Sequence, residues 1–364
     1  MRKPLVLWLL VAQLALTACG GVSDQSTQSA VSEAQRVPLS ELEVMADPKS
    51  YEGPSTAIAM GEAFEPLEKV QQKLPVTVDS YNFDLVEKVK VSDASRIIAL
   101  DSAGAIATTI WNLGFGDSLV GRDISTDFPG ADELPVVTSS GHSVNAEVVL
   151  ALRPTLIITD GSIGPRDVVQ QLADTGVTIV FVKNTRSFAG AAQMAEHVAQ
   201  IIGVPQSGET LAANIEKRVE QTKSDIAAIA PRDENDKLRM LFLYIRGQGG
   251  IYYLFGEDSG AGDLISSLGG VDVAKELGWS EMKPMTDEAI VAGNPDLILV
   301  MSEGLKSTGG VAGLLATKPA IALTNAGKNK RFVDMDDSTV LSFGPRSHLV
   351  LDALARAIYA PESK

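Results

Sequence analysis

SGETLAANIEKRVEQTKSDIAAI, residues 207–229, is the stretch on which the reading of the fold turns. After Gly208 it holds no glycine, and the next proline is Pro231. Leu211, Ile215, Val219, Ile226 and Ile229 recur at helical spacing, so one face is apolar along its whole length. At 1.5 Å per residue such a helix spans about 34 Å, long for an element inside one small domain. It is expected to be a rigid connector between two bodies.

Both flanks support that expectation. On the N-terminal side short apolar runs alternate with helical segments: RIIAL, a helix from about Ala103 to Leu113 ended by Gly114, TLIITD, a helix around Asp167 to Asp174, TIVFVK, and a helix near Phe188 to Ile202. After the connector the order restarts with RMLFLYIRG, SGAGDLISSLGG, TDEAIVAGNPDLILVM, RFVDMDD and a terminal helix SHLVLDALARAIYA. Strands alternating with helices imply a parallel sheet covered on both faces. One unit repeats: Glu147 to Pro154 followed by TLIIT matches Glu288 to Pro295 followed by DLILV at a constant offset of 141.

The expected fold class is α/β: two related lobes with parallel-rich sheets flanked by helices, joined by one long backbone helix, with a ligand in the interlobe cleft. The expected bounds are a signal peptide over 1–18, an anchor and tether over 19–73, an N-terminal lobe over 74–206, the connecting helix over 207–230 and a C-terminal lobe over 231–364. With 364 residues, 45% of them hydrophobic, the chain has enough apolar material for two cores.

MRKPLVLWLLVAQLALTAC opens with Arg2 and Lys3, continues through an apolar stretch and ends in small residues before Cys19. That is the pattern of a secretory signal, too short to span a bilayer. Cys19 is the only cysteine, so an exported product has no disulfide and rests on core packing. The segment resembles a bacterial lipoprotein signal, in which the cysteine is lipidated and becomes the mature N-terminus. The following GGVSDQSTQSAVSEAQ is polar and too poor in apolar surface to fold alone.

The formal net charge is −15, with no basic run able to track a phosphate backbone, which excludes nucleic acid as a partner. No phosphate-binding G-x-x-x-x-G-K-[ST] motif is present, so the sequence offers no P-loop for ATP hydrolysis. Ser140-Gly141-His142 lacks both a G-x-S-x-G elbow and an acid to orient the ring, which leaves hydrolase chemistry unsupported.

LYIRGQGG, residues 243–250, places Tyr244 and Arg246 two positions apart on a strand, hence on one face. Tyr is a known ligand of ferric haem iron as phenolate. A neighbouring cation favours that anion and can donate a charge-assisted hydrogen bond to it. Gly247, Gly249 and Gly250 either let backbone approach a flat macrocycle or form a plain turn. The bland reading of the pair is a packed strand aromatic and a surface arginine. His142 lies between a strand end and a helix start among small residues, the position of a cleft loop in an open α/β sheet, and imidazole is a common haem ligand. It reads equally as a solvent-facing residue of a capping loop. His197 and His348 read as structural, and three dispersed histidines argue against a zinc site.

The lipoprotein signal, the two lobes about a long helix and the paired Glu-x6-Pro segments resemble the helical-backbone substrate-binding proteins of ABC importers, the class that carries ferric siderophores, cobalamin and haem. The resemblance runs from about residue 74 to the end. Tyr244-Ile-Arg246-Gly247, SSGHS around His142, VMSEGLKSTGGVAGLL from Val300 and FGPRS from Phe343 are similar to the haem-binding lipoproteins of Gram-positive actinobacteria. The resemblance implies ferric haem held as transported ligand by Tyr244 and His142 from opposite lobes. In Gram-negative haem binders the Tyr-x-Arg pair sits in the N-terminal lobe, often as the sole axial ligand; here it falls in the C-terminal lobe. Arg246, Arg346 and Lys306 are candidate partners of the propionates, and Met301, Tyr252, Leu305 and Trp111 candidate contacts of the macrocycle. Glu147 and Glu288 are implied to dock on arginines of a membrane permease. Further expectations are a separate ATPase subunit, membrane attachment through Cys19 on the outer face of the cell membrane, haem-donor surface proteins and a monomer. Two readings stay open: a siderophore or cobalamin binder of the same fold, and a Tyr-ligated haem enzyme, which would need the open coordination site that His142 closes.

Overall fold

The computed structural model describes residues 37–61, 64–82, 85–139, 143–183 and 185–362. The signal segment, Cys19 and the loop of Ser140, Gly141 and His142 lie outside them.

The N-terminal lobe is built on a four-stranded, all-parallel sheet in the order Leu119–Gly121, Ile97–Leu100, Leu156–Thr159, Thr178–Phe181. All four residues of Ile97–Leu100 and of Leu156–Thr159 are buried, as a strand covered on both faces requires. A hairpin of Val76–Asn82 and Leu85–Val91 packs beside the Thr178–Phe181 edge. The helix expected from Ala103 starts at Ala105, where both oxygens of Asp101 accept backbone N–H groups (Ala105 N 2.8 Å, Ile106 N 3.2 Å). It widens into a π-turn over Trp111–Phe115 that holds Gly114 at φ +87°.

The connecting helix runs Pro205–Ile229. It starts two residues before the expected position because Pro205 fills the first turn, where no N–H is needed. Leu211, Ala212, Ile215, Val219 and Ile226 are buried, with Ile229 partly so, against helix Phe188–Ile201 on one side and helix Ser347–Tyr359 on the other. A Cβ at Gly208 would overlap Ala199 and Glu196, so the two long helices meet there at backbone distance.

The C-terminal lobe carries a seven-stranded sheet. Its parallel core is Phe332–Met335, Leu297–Met301 and Arg239–Arg246, followed by the antiparallel Ile251–Leu254 and Lys283–Pro284. Its far edge corrects the expected tether: Ser55–Ala57 pairs in parallel with Phe332–Met335, and Leu39 is buried. Ser55–Ala57, placed in the tether, thus belongs to the sheet of the opposite lobe, whereas Leu67 and Lys73 bond the N-terminal lobe (Leu67 N to Asn112 O 2.8 Å, Lys73 N to Gly203 O 2.9 Å). Arg331 holds this junction. Its buried guanidinium donates to Ser55 Oγ (2.8 Å), Ala357 O (2.8 Å) and Ile358 O (2.9 Å) and lies 4.7 Å from the Tyr51 ring centroid.

The repeat extends to the backbone. Asn145 and Thr286, offset by 141, each cap the helix that follows, and both side chains accept from the N–H three residues on. Arg153 and Asn294, at the same offset, end these units at φ +48° and +36° ahead of Pro154 and Pro295. Glu147 and Glu288 are exposed on matching first turns. Leu150 and Val291, also 141 apart, are 40% and 42% exposed.

Candidate functional site

The carboxyl ends of the parallel strands of both lobes converge on one cleft, where ligands of open α/β sheets collect. Asp101 follows Ile97–Leu100 and Asp160 follows Leu156–Thr159; Tyr244 and Arg246 end Arg239–Arg246, Met301 ends Leu297–Met301, and Asp336 to Ser338 follow Phe332–Met335. The cleft encloses about 610 Å³, a volume suited to a small-molecule ligand. Phe255, Met282, Leu341 and Phe343 supply apolar wall.

Strand period puts Tyr244 and Arg246 on the cleft face, and the neighbouring strand completes the site. Tyr244 pairs across the ladder with Tyr253, which also lines the cleft, and its ring stacks on Phe255 at 5.8 Å and 14°. The Arg246 guanidinium carbon lies 4.6 Å from the Tyr244 ring centroid. Nη1 donates to Ile245 O at 2.8 Å and Nη2 lies 3.0 Å from Asp337 Oδ2. The expected bond from Arg246 to the phenol oxygen is absent: the cation covers the ring face instead, held there by Asp337. Gly304 leaves room for it, since a Cβ there would sit 2.7 Å from Ile245 O and 3.3 Å from Arg246 Nη1. Burial pushes the Asp337 carboxyl up, opposed by the Glu303 N–H and by Arg246. Among the described residues the Tyr244 hydroxyl has no hydrogen-bond partner.

Several other expected contacts fall elsewhere. Tyr252 pairs with Ile245 and packs on the opposite face of the sheet, with Lys318 Nζ 4.1 Å above its ring; the cleft tyrosine of that strand is Tyr253. Arg346 is bound to Asp127 and lines a small hollow behind Ala105 and Ser338. Lys306 pairs with Glu303 at the surface (2.7 Å). Leu305 is buried in the core behind the sheet, and Trp111 stacks on Phe128 at 6.0 Å on another face of the N-terminal lobe. The glycines serve local packing: Gly250 turns at φ +65°, and a Cβ at Gly247 would lie 2.7 Å from Thr308 Cγ2. His197 bonds Asp79 O at 2.9 Å, and His348 is buried against Phe64.

Position in the sequence alone did not single out Arg186, Asp101 or Asp160, which line the N-terminal side of the cleft. Asp101 is pushed well above the usual carboxylate range by burial, then by the Asp160 and Asp123 charges, against the two helix N–H groups it accepts. The hairpin of Thr138–Ser139 and Ser143–Val144 flanks the His142 loop, and Thr138 Oγ1 accepts from the N–H of Ile124, a cleft residue.

Residues 97–339 match the periplasmic binding protein family, to which this chain belongs. Members of this family and its solved neighbours are substrate-binding proteins of transport systems rather than enzymes. Among solved structures it is similar to the haem-binding protein HmuT, with 38% identity over 86% of this chain and 100% of that one and a TM-score of 0.79. Solved forms of HmuT include alanine variants of a tyrosine, of an arginine two positions further on, and of a histidine. The periplasmic haem-binding protein RhuT from Roseiflexus sp. RS-1 is 33% identical over 74% of this chain and 100% of that chain, with a TM-score of 0.66. An uncharacterised ABC transporter substrate-binding lipoprotein of Bacillus subtilis (strain 168), YvrC, is 29% identical over 80% of this chain and 88% of its own.

Proposed function

We propose that this chain is the extracytoplasmic haem-binding component of an ABC-type importer, in which Tyr244 and His142 ligate one ferric haem from opposite lobes. The observation that carries the reading is the Tyr244 hydroxyl, unpartnered among the described residues and set in an apolar-walled cleft, with Phe255 against its ring and a cation over it. Fe(III) is a fitting partner for such an oxygen, and Arg246 favours the charge of the bound phenolate. His142 enters on its place in the sequence, between the paired strands Thr138–Ser139 and Ser143–Val144. Ligation from both lobes makes binding energy available only when they close on the ligand.

The haem-binding neighbours and the lipoprotein relative support the remaining parts: delivery to a permease with its separate ATPase, and attachment to the outer face of the cell membrane through lipid on Cys19. Glu147 and Glu288 are the docking pair. Each stands at the same place on its lobe with an exposed aliphatic residue one turn on, so a partner with two equivalent surfaces meets the same chemistry twice. Haem donation by surface proteins and a monomeric state belong to the same proposal.

The deciding measurement is the absorption spectrum of the purified protein titrated with haemin, for wild type, Tyr244→Ala and His142→Ala. A six-coordinate ferric spectrum is expected that changes in each variant, more for Tyr244. A wild type without a Soret band would favour a siderophore or cobalamin ligand, and spectra identical in all three would remove the Tyr244 and His142 ligation; peroxidase turnover by the loaded protein would instead favour an enzyme.

A further inference from the structure

Six charged side chains on described residues line the cleft: Asp101, Asp160, Asp336, Asp337, Arg186 and Arg246. All but one are engaged. Asp101 accepts from Ala105 and Ile106, Asp160 from Ser162 N at 2.9 Å, and Asp336 from Ser338 N at 3.0 Å and Thr339 Oγ1 at 3.2 Å. Asp337 and Arg246 hold each other. The Arg186 side chain has no ion pair or hydrogen bond among the described residues, and its five donors face a cleft whose other charged residues, Arg246 aside, are carboxylates.

Its backbone, by contrast, is fixed. Arg186 precedes Ser187, whose Oγ caps helix Phe188–Ile201 by accepting from Gly190 N at 3.0 Å. The next residue crosses to the C-terminal lobe: Phe188 N donates to Asp263 Oδ2 at 2.7 Å, and the Phe188 ring meets Phe343 edge-on at 5.2 Å. Lys223 of the connecting helix covers that ring at 5.3 Å. Gly260, at φ +89°, lies so close that a Cβ there would stand 3.0 Å from Arg186 O. The guanidinium therefore springs from the seam where the two lobes and the connecting helix meet.

We propose that Arg186 is a carboxylate-binding subsite that fixes the orientation of the ligand, a deepening that rests on the haem reading above. A porphyrin with two propionates seats its acidic edge at the seam, because elsewhere in the cleft it meets carboxylates. Ile124 and Met282, which are 46% and 49% exposed, offer apolar wall to the rest of the ring. The subsite also discriminates: a flat iron chelate without carboxylates loses this contact while keeping the iron bond.

The test titrates wild type, Arg186→Gln and Arg186→Lys with haemin and with haemin dimethyl ester, which keeps the iron and caps both carboxylates, following the Soret band. Arg186→Gln is expected to weaken haemin by roughly ten- to hundredfold, the size of a charge-assisted hydrogen bond, and to leave the ester unchanged; Arg186→Lys should fall between. An equal loss for both ligands, or no loss for haemin, overturns the subsite while the haem reading stands. A wild type that gives no Soret band with haemin removes the haem reading, and the subsite with it.

Discussion

Arg246 stands over the ring of Tyr244 rather than at its hydroxyl, 4.6 Å from the ring centroid, and Asp337 lies 3.0 Å from the far side of the guanidinium. The cation is thus half-buried against the Tyr244 ring, and one anion holds it there. Removing it should weaken the tyrosine–iron bond without unfolding the strand. Arg246→Ala is expected to lower haemin affinity by roughly ten- to hundredfold, and to move acid loss of the tyrosinate-to-iron charge-transfer band to higher pH. Arg246→Lys should recover part of this, since a point charge cannot reproduce the fork that reaches both Ile245 O and Asp337. A haemin titration and an acid titration of the variants check both.

His348 gives the fold an acid limit. Its ring is buried beside Phe64, and burial, then the Arg218 charge, hold it down to about 4. An unfolded histidine takes up a proton below about pH 6.5, so the contribution of the neutral ring is complete above that pH and drains as pH falls toward about 4. The loss over that window is on the order of 3 kcal/mol. His348→Leu should flatten this part of the stability curve. Urea melts at pH 7, 5.5 and 4.5 would show it.

The contact between the long helices at Gly208 tolerates no side chain. Gly208→Leu is expected to cost about 1–3 kcal/mol through overpacking against Ala199 and Glu196. Thermal melts should show a fall of a few degrees with the haemin spectrum of the folded fraction unchanged.

Arg331→Met would leave two carbonyls at the end of the terminal helix without their donors. The expected cost is roughly 1–3 kcal/mol. It should be local: hydrogen exchange should rise first in Ser55–Ala57, whose Ser55 hydroxyl and strand pairing share the junction.

The proposed docking pair, Glu147 and Glu288, allows binding to be tested apart from delivery. Glu147→Ala and Glu288→Ala should each slow haem transfer in proteoliposomes that hold the permease and its ATPase, and more so together, with no change in the Soret band. Rim charges act chiefly on encounter, so the deficit should grow at low salt.

What could be read from the sequence follows period. The connecting helix announced itself because its apolar residues recur on one face over many turns, and Tyr244 with Arg246 because a strand returns to the same face every second residue. Parity was lost at the first turn: the connection Gly247–Gly250 sets the register that faces Tyr253, not Tyr252, into the cleft. Arg186 sits in a loop without period, and its neighbours across the seam, Gly260 and Asp263, are more than seventy positions away. The strand Ser55–Ala57 was invisible for the same reason, being three residues long with partners 278 positions further on.

The segment leading to that short edge strand decides how a tethered molecule carries load. In the anchored state proposed here, traction from the lipid enters at Leu39, packed on the connecting helix, and at Met45, whose N–H bonds Tyr359 O, before it reaches Ser55–Ala57 and the Arg331 junction. The N-terminal lobe takes that load second, through helix Phe188–Ile201 against the connecting helix and through the Leu67 and Lys73 backbone bonds to Asn112 and Gly203.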